Sequence, residues 1–232
     1  MKNFTPFNLK FFPLFIFAVL TVLTSCKKEE TDTTISYLRV VNASPSLATY
    51  NAYFNGTMVN SAALPFGGSA SYSSYTPGSY SLKFTTASSV ESLLTKTVTL
   101  GVNSYYSTYL INKPAALDTY TLSDDLSITA TDKAYVRFIN LSPDAPALDL
   151  AKTSATTSLA INKAYKTASG FTTVDAGTYT LDAKETSTGT VKTTSASSTF
   201  VAGYHYDVIC GGLVTPANDT ERPLSLQVIL IK

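Results

Sequence analysis

The stretch Tyr37-Leu-Arg-Val-Val-Asn-Ala-Ser-Pro45 decides the fold, because it returns in the second half of the chain as Tyr135-Val-Arg-Phe-Ile-Asn-Leu-Ser-Pro143. Two further pairs of segments match in the same order, namely Pro77–Leu82 with Ala176–Leu181 and Asn103–Tyr106 with Ala202–His205. Similarity that recurs at a nearly fixed offset indicates a repeated structural unit. The sequence therefore predicts two copies of one domain, which we place at residues 35–131 and 132–232.

Short strand-like runs separated by turn residues fill each copy. Asn55-Gly56 is a strong signal for a tight hairpin, and apolar and polar residues alternate along Ser79–Phe84 and Gly203–Ile209. Many of the polar residues are Ser or Thr, whose hydroxyls suit the solvated face of a half-buried antiparallel sheet. We therefore predict an all-β fold of two tandem antiparallel β-sandwich domains, Ig-like or related in type.

The N-terminal segment has the three parts of a secretory signal. Lys2 and Lys10 supply positive charge, residues 11–23 are apolar, and small residues precede Cys26. The apolar run is shorter than the roughly 20 residues that span a membrane, although an uncleaved anchor helix is the alternative. We predict a signal peptide at residues 1–25, cleaved between Ser25 and Cys26.

The end of this segment, Leu23-Thr24-Ser25-Cys26, resembles the bacterial lipobox. The resemblance implies that Cys26 carries a covalent lipid, and two or three acyl chains anchor a protein stably. Residues 26–34 then form a polar tether, in which Lys28-Glu29-Glu30 resembles the export signal of Bacteroidetes lipoproteins. That resemblance implies an outer-membrane lipoprotein of the cell envelope facing the outside of the cell, and the alternative is a simple solvated linker.

The second copy carries a further resemblance. Its strand around Arg137, followed by Ser142-Pro-Asp-Ala-Pro146 and later by Ala176-Gly-Thr-Tyr179, is similar to the DUF4397 family. The first copy departs from the pattern, because Ser46-Leu47-Ala48 replaces the Asp-Ala-Pro. The resemblance implies extracytoplasmic β-domains and no particular activity.

Candidates for catalysis are few. The chain has one histidine, His205, which precedes Asp207 by two residues and so shares its strand face. The sequence match aligns His205 with Tyr106, so the domain does not require an imidazole there. Cys210 lies in an apolar strand and is expected to pack in the core. We therefore expect that the protein is not an enzyme, and that it has no catalytic residue and no cofactor besides the lipid. Its formal net charge of +1 is nearly neutral and predicts no nucleic-acid partner.

Asp144 and Asp149 are candidate ligands for a metal ion. They belong to the second copy alone, and carboxylates on one loop are typical of calcium sites. The alternative is structural, with Asp144 capping the turn through backbone N–H groups and Ser46 doing the same in the first copy. We favour the structural account and predict no metal.

Tyrosine is the residue most suited to binding, with 15 copies and no Trp. Tyr72, Tyr75, Tyr105 and Tyr109 are the candidates, since an exposed ring can stack on a sugar and can equally pack across a sheet. The expected function is binding or adhesion at the cell surface, with the membrane as a partner through the lipid. The alternatives are an accessory glycan-binding protein of an outer-membrane uptake system and a structural spacer, and the further partner is a glycan or a surface protein.

Overall fold

The computed structural model describes Met1 and residues 34–232, and the latter belong to one compact unit. The predicted signal peptide, its cleavage site at Ser25–Cys26 and nearly all of the tether lie outside the described residues. Apart from a 3₁₀ turn at Pro114–Ala116, every described element is a β-strand, which confirms the all-β prediction. Within these residues, no helix has the length and apolar character needed to cross a membrane.

The first half of the described chain contains eight strands. They are β1 (Ser36–Asn42), β2 (Tyr50–Phe54), β3 (Thr57–Met58), β4 (Ser73–Tyr75), β5 (Gly78–Thr86), β6 (Leu94–Leu100), β7 (Tyr105–Ile111) and β8 (Asp118–Asp124). These strands form two four-stranded sheets, with the orders β4-β1-β7-β8 and β3-β2-β5-β6. The sheets pack face to face over an apolar core that draws side chains from both, as in a β-sandwich.

The second half contains eleven strands. They are β9 (Lys133–Asn140), β10 (Leu148–Lys152), β11 (Ser158–Lys163), β12 (Thr167–Ala168), β13 (Thr172–Asp175), β14 (Gly177–Tyr179), β15 (Leu181–Glu185), β16 (Val191–Thr194), β17 (Ser198–Phe200), β18 (His205–Gly211) and β19 (Ser225–Leu230). One sheet has the order β12-β9-β18-β19 with β13 also paired to β9, a second has the order β11-β10-β15-β16, and β14 pairs with β17. A second apolar core lies between the two larger sheets of this half.

One strand pair in each half departs from the antiparallel prediction. β1 runs parallel to β7, with Tyr37 opposite Tyr105, and β9 runs parallel to β18, with Tyr135 opposite His205. Between the paired strands the chain crosses to the other sheet and returns, which is the long connection that a parallel pair requires. The same registers correct the sequence alignment, because the residue equivalent to His205 is Tyr105 and not Tyr106.

The repeated motif ends its strand in an Asx turn. Asn42 accepts the backbone N–H of Ser44 at 2.9 Å, and Asn140 accepts that of Ser142 at 3.1 Å. An Asn side chain that bonds the backbone two residues on mimics a turn and stops the strand. The predicted hairpin is also confirmed, since β2 and β3 are joined through Asn55-Gly56, which have φ values of 50° and 85°.

The two inner sheets also pack on each other. Along β1, Leu38 and Val40 point into the core of the first half, whereas Arg39 and Val41 point toward the second half, as alternation along a strand requires. A third apolar cluster fills this junction, with members from both halves: Val41, Ala43, Tyr109, Ile111, Ile139, Leu141 and Ile209. Four sheets therefore form one stack. The domain boundary that the sequence predicts between residues 131 and 132 stays a prediction.

Candidate functional site

A cluster of charged side chains lies buried at the centre of the junction. It consists of Arg39, Arg137, Asp124, Asp207 and Tyr109, and the four charged side chains are at most 4% exposed. Asp207 contacts Arg39, accepts the Tyr109 hydroxyl, and accepts Nε of Arg137 at 2.8 Å. Asp124 meets Nη2 of Arg137 at 2.7 Å. We call this set the junction cluster, and its formal charges cancel.

The ionisation of the junction cluster follows from these contacts. Burial lowers the pKa of each arginine, but Asp207, Tyr109 and Asp124 together outweigh this effect and raise the pKa of Arg39 and of Arg137 above the usual value. Burial, reinforced by Asp207, raises the pKa of Tyr109 well above its usual value. Both arginines are therefore cations and Tyr109 is a neutral donor at physiological pH.

Aromatic rings cover the two arginines at equivalent places. The Arg39 guanidinium lies 5.7 Å from the ring centroid of Tyr72, and the Arg137 guanidinium lies 4.7 Å from that of Phe171. Tyr72 and Phe171 each precede the strand that pairs with β1 or β9. Tyr72 also donates its hydroxyl to Asp124 at 2.6 Å. The predicted binding residue Tyr72 is thus half-buried and tied to the junction cluster.

The other predicted tyrosines have different surroundings. Tyr109 is fully buried in the junction because the second half covers its strand face, so of its two possible roles, ligand binding and packing, the structure favours packing. Tyr75 is half-buried and packs on Phe54, with ring centroids 4.4 Å apart. Tyr105 stacks on Tyr37 at 4.5 Å. None of the four therefore presents a bare ring to solvent.

A groove opens at one side of the junction, with a volume of about 520 Å³. The first half contributes β8 and the linker that follows it, and the second half contributes β9 and the segment before β13. We call it the junction groove and define it by six lining residues: Tyr120, Asp125, Tyr135, Arg137, Gly170 and Phe171. Sequence reasoning missed it, because its two walls come from different halves of the chain.

The linker wall of the junction groove is fixed by one hydroxyl. The Tyr135 hydroxyl accepts the backbone N–H of Thr129 at 2.6 Å and that of Ala130 at 2.5 Å. Asp125, an exposed residue directly after β8, accepts the backbone N–H of Ser127 at 3.1 Å. Because both anchors bond backbone groups, the wall has a defined shape before any ligand arrives.

His205 lies behind this wall and is 1% exposed. Its ring stacks on Tyr135 at 4.4 Å and meets the edge of Phe171 at 4.9 Å, between ring centroids. Among the described residues, none provides a hydrogen-bond partner for its Nε2. Its neighbour on the strand face, Asp207, is engaged by the arginines, so His205 and Asp207 do not form a catalytic pair.

We expect the protein to lose stability as the pH falls from about 7 to about 5.5. Burial lowers the pKa of His205 in the folded state below its usual 6.5, so the unfolded chain takes up a proton first and is favoured by acid. His205 is the one histidine of the chain. The measurement is the free energy of unfolding against pH for wild type and His205→Phe, which keeps an aromatic ring. An identical decline in both proteins would contradict the assignment.

Asp144 and Asp149 engage protein donors. Asp144 accepts the backbone N–H of Val214 at 2.9 Å and that of Thr215 at 3.1 Å, and partial burial opposes but does not cancel the lowering of its pKa by these bonds. Asp149 accepts the backbone N–H of Asn162 at 2.7 Å. Asp144 thus caps a remote loop through backbone N–H groups and accepts the Ser142 hydroxyl of its own turn at 3.2 Å, whereas Ser46 accepts the nearby N–H of Ala48 at 3.3 Å.

Replacing Asp144 with serine, the residue at the equivalent place in the first half, should lower the free energy of unfolding by about 1 kcal/mol, the scale of a lost cap. Calcium should leave the melting temperature of wild type and Asp144→Ser unchanged, because these carboxylate oxygens already accept protein donors. Asp132→Ser, at an exposed carboxylate, serves as the control. A calcium-dependent gain in melting temperature that disappears in Asp144→Ser would show a metal site instead.

Cys210 is a core residue, as predicted. It is fully buried and free, and burial raises the pKa of its thiol to about 12. A thiol with that pKa is protonated at physiological pH, whereas a reactive cysteine is a thiolate. Cys210 therefore adds volume to the second core and no chemistry.

Comparison with known proteins gives one family and two distant structures. Residues 36–151, half of the chain, match DUF4397, a domain of unknown function. No curated protein matches the chain at a significant level. A leucine-rich repeat protein from Bacteroides thetaiotaomicron is 14% identical with a TM-score of 0.23, and the alignment covers 84% of this chain and 27% of that protein. Family 41 carbohydrate-binding modules from streptococcal virulence factors, which recognise alpha-glucan, are 10% identical with a TM-score of 0.24, covering 83% and 97%. TM-scores this low support no argument about function.

Proposed function

The chain belongs to the DUF4397 family, and from that premise we propose that it is a non-enzymatic binding protein of the bacterial cell envelope, built from two copies of the family domain. The lipid on Cys26 anchors it in the outer membrane, with both copies facing the outside of the cell. Its ligand binds in the junction groove.

Two features support the proposal that the chain contains two copies of one domain. The inner sheet of each half contains one parallel pair in the same register, which places Tyr37 and Tyr135 at equivalent positions. In addition, Tyr106 and Tyr206 each accept, through the hydroxyl, the backbone N–H of the residue five positions earlier. A repeated sequence motif that recurs with its hydrogen bonds is best explained by duplication of one unit.

The junction groove is the observation that carries the binding role. Its volume of about 520 Å³ lies within the roughly 300–1,000 Å³ that is typical of ligand sites. It combines aromatic walls with a few fixed polar groups, which is the usual composition of such sites. Binding sites also form preferentially between packed units, and this groove needs both halves of the chain.

The non-enzymatic part of the proposal rests on the residues that could do chemistry. His205 is buried away from a carboxylate partner, Asp207 neutralises two arginines, and Cys210 is a protonated core thiol. The groove offers Asp125 as a carboxylate, whereas hydrolysis of a glycosidic bond uses a converging pair. These observations support a protein that holds its ligand without changing it.

A direct test uses Gly170, which lines the groove. A Cβ at this position meets no atom within 4 Å, so Gly170→Phe adds a ring at the groove without a clash at its Cβ. Wild type should bind at least one class of molecule on arrays of glycans and extracellular proteins, and Gly170→Phe should weaken that binding about tenfold or more. Binding that survives unchanged would place the site elsewhere, and no binding at all would favour a structural spacer.

A further inference from the structure

We infer that the junction groove takes a neutral sugar ring from a glycan, an inference that rests on the proposed binding function and names its ligand. The first step concerns charge. Arg137 is the cation that lines the groove, but Asp207 accepts both its Nε and its Nη2, and Asp124 meets Nη2 at 2.7 Å. Its charge is thus already neutralised within the protein, and the groove attracts no acidic ligand.

The carboxylate of Asp125 adds to this selectivity. It is an exposed residue directly after β8, and hydrogen bonds from Ser127 lower its pKa, so it is an anion at neutral pH. An ionised carboxylate has about four acceptor sites, which leaves capacity for hydroxyl donors after the bond from Ser127. Asp125 therefore repels a ligand anion and accepts hydrogen bonds from a neutral ligand rich in hydroxyls.

The walls of the groove suit both the apolar C–H face and the polar hydroxyls of a sugar ring. Tyr120 and Phe171 line the groove and are half-buried, so each ring keeps an apolar surface on which the C–H face of a pyranose can lie. Ser123, Ser169 and Thr173 line the same space. Apolar contact on one side and hydrogen bonding around the rim suit a sugar better than a purely apolar ligand.

The groove is open beside Gly170. Gly170 exposes backbone where a side chain would otherwise stand, and a Cβ built there meets open space. Its equivalent in the first half is Ser71, since the residues just before them, Ala70 and Ser169, donate their N–H groups to the matching carbonyls of β1 and β9. Ser71→Phe is therefore a matched control that adds the same ring outside the groove.

The experiment measures binding of the full chain to galactan and to polygalacturonate, and to neutral polymers of glucose and mannose. At least one neutral polymer should bind, while polygalacturonate, which carries a carboxylate on each sugar, should bind about tenfold more weakly or not at all. Gly170→Phe should weaken binding of the neutral polymer about tenfold or more, and Ser71→Phe should leave it unchanged. Asp125→Ala should weaken it less than Gly170→Phe does.

The outcomes separate this inference from the function on which it rests. If the chain binds an extracellular protein and Gly170→Phe abolishes that binding, the groove is a binding site but the sugar assignment is wrong. Equal binding of galactan and polygalacturonate would also overturn the sugar inference, because the charge argument would fail. If neither arrays nor polysaccharides give binding, the proposed function itself falls.

Discussion

Asp207→Asn should lower the free energy of unfolding by about 3–5 kcal/mol, the range measured when one partner of a buried ion pair is removed. Asp207 is fully buried and receives Arg39, Arg137 and Tyr109. Asparagine keeps the shape but removes the charge and turns an N–H₂ group toward one of these donors. Two buried arginines then share Asp124 alone, and an uncompensated buried cation is expensive.

Chemical denaturation of the full chain measures this loss, and Asp175→Asn provides a matched control. Asp175 also forms an ion pair with a lysine, at 2.7 Å, but its side chain is 73% exposed. Solvent screens such a pair, so the denaturation midpoint of Asp175→Asn should hardly move. If both variants behave alike, the junction cluster does not hold the two halves together.

Much of the fold could be predicted from one motif. The recurrence of the Tyr37–Pro45 stretch predicts two similar units, and the Ser-Pro turn that closes the stretch follows the first strand of each half, where Asn42 and Asn140 form Asx turns. Turn chemistry acts over a few residues, so it can be read locally. The Asn55-Gly56 hairpin was predictable for the same reason.

The parallel pairing and the junction were not predictable in this way. Alternation along β1 shows that Arg39 and Val41 share a face, but it does not show what covers that face. The sequence holds one usable signal: an apolar Val41 beside Arg39 on a face that would otherwise be solvated. A charged residue on an apolar strand face requires either exposure or a buried partner, and here the partner, Asp207, lies in the other half of the chain.

Predicting the junction groove would require knowing how residues far apart in the sequence pack together. Its walls join β8 of the first half to the segment before β13 in the second, and the relative position of two packed sheets is set by many side chains together. The candidate tyrosines illustrate the consequence. Tyr105 and Tyr109 are four residues apart and share a face of β7, yet burial by the other half gives them different roles.

Cys26→Ser should abolish lipid attachment entirely. The cysteine sulfur forms the thioether to diacylglycerol, and serine has no sulfur to form it. The variant should also keep its signal peptide uncleaved at Ser25, because the lipobox is processed after lipidation. Growth with a radioactive or alkyne-tagged fatty acid, followed by gel analysis of the protein, measures both the label and the size of the chain. Without acyl chains the protein should also leave the membrane fraction, since hydrophobic burial of the chains provides the anchor.

The control for this experiment is Cys210→Ser, because Cys26 and Cys210 are the two cysteines of the chain. Cys210 is buried in the second core and its thiol is protonated, so its replacement should leave labelling at the wild-type level. Serine at this buried position leaves a hydroxyl in apolar surroundings and should cost about 1–3 kcal/mol of stability. Replacing Cys26 should therefore remove the lipid, whereas replacing Cys210 should lower the thermal stability. Fatty-acid label that persists in Cys26→Ser would exclude the thioether anchor, and with it the proposed attachment to the outer membrane.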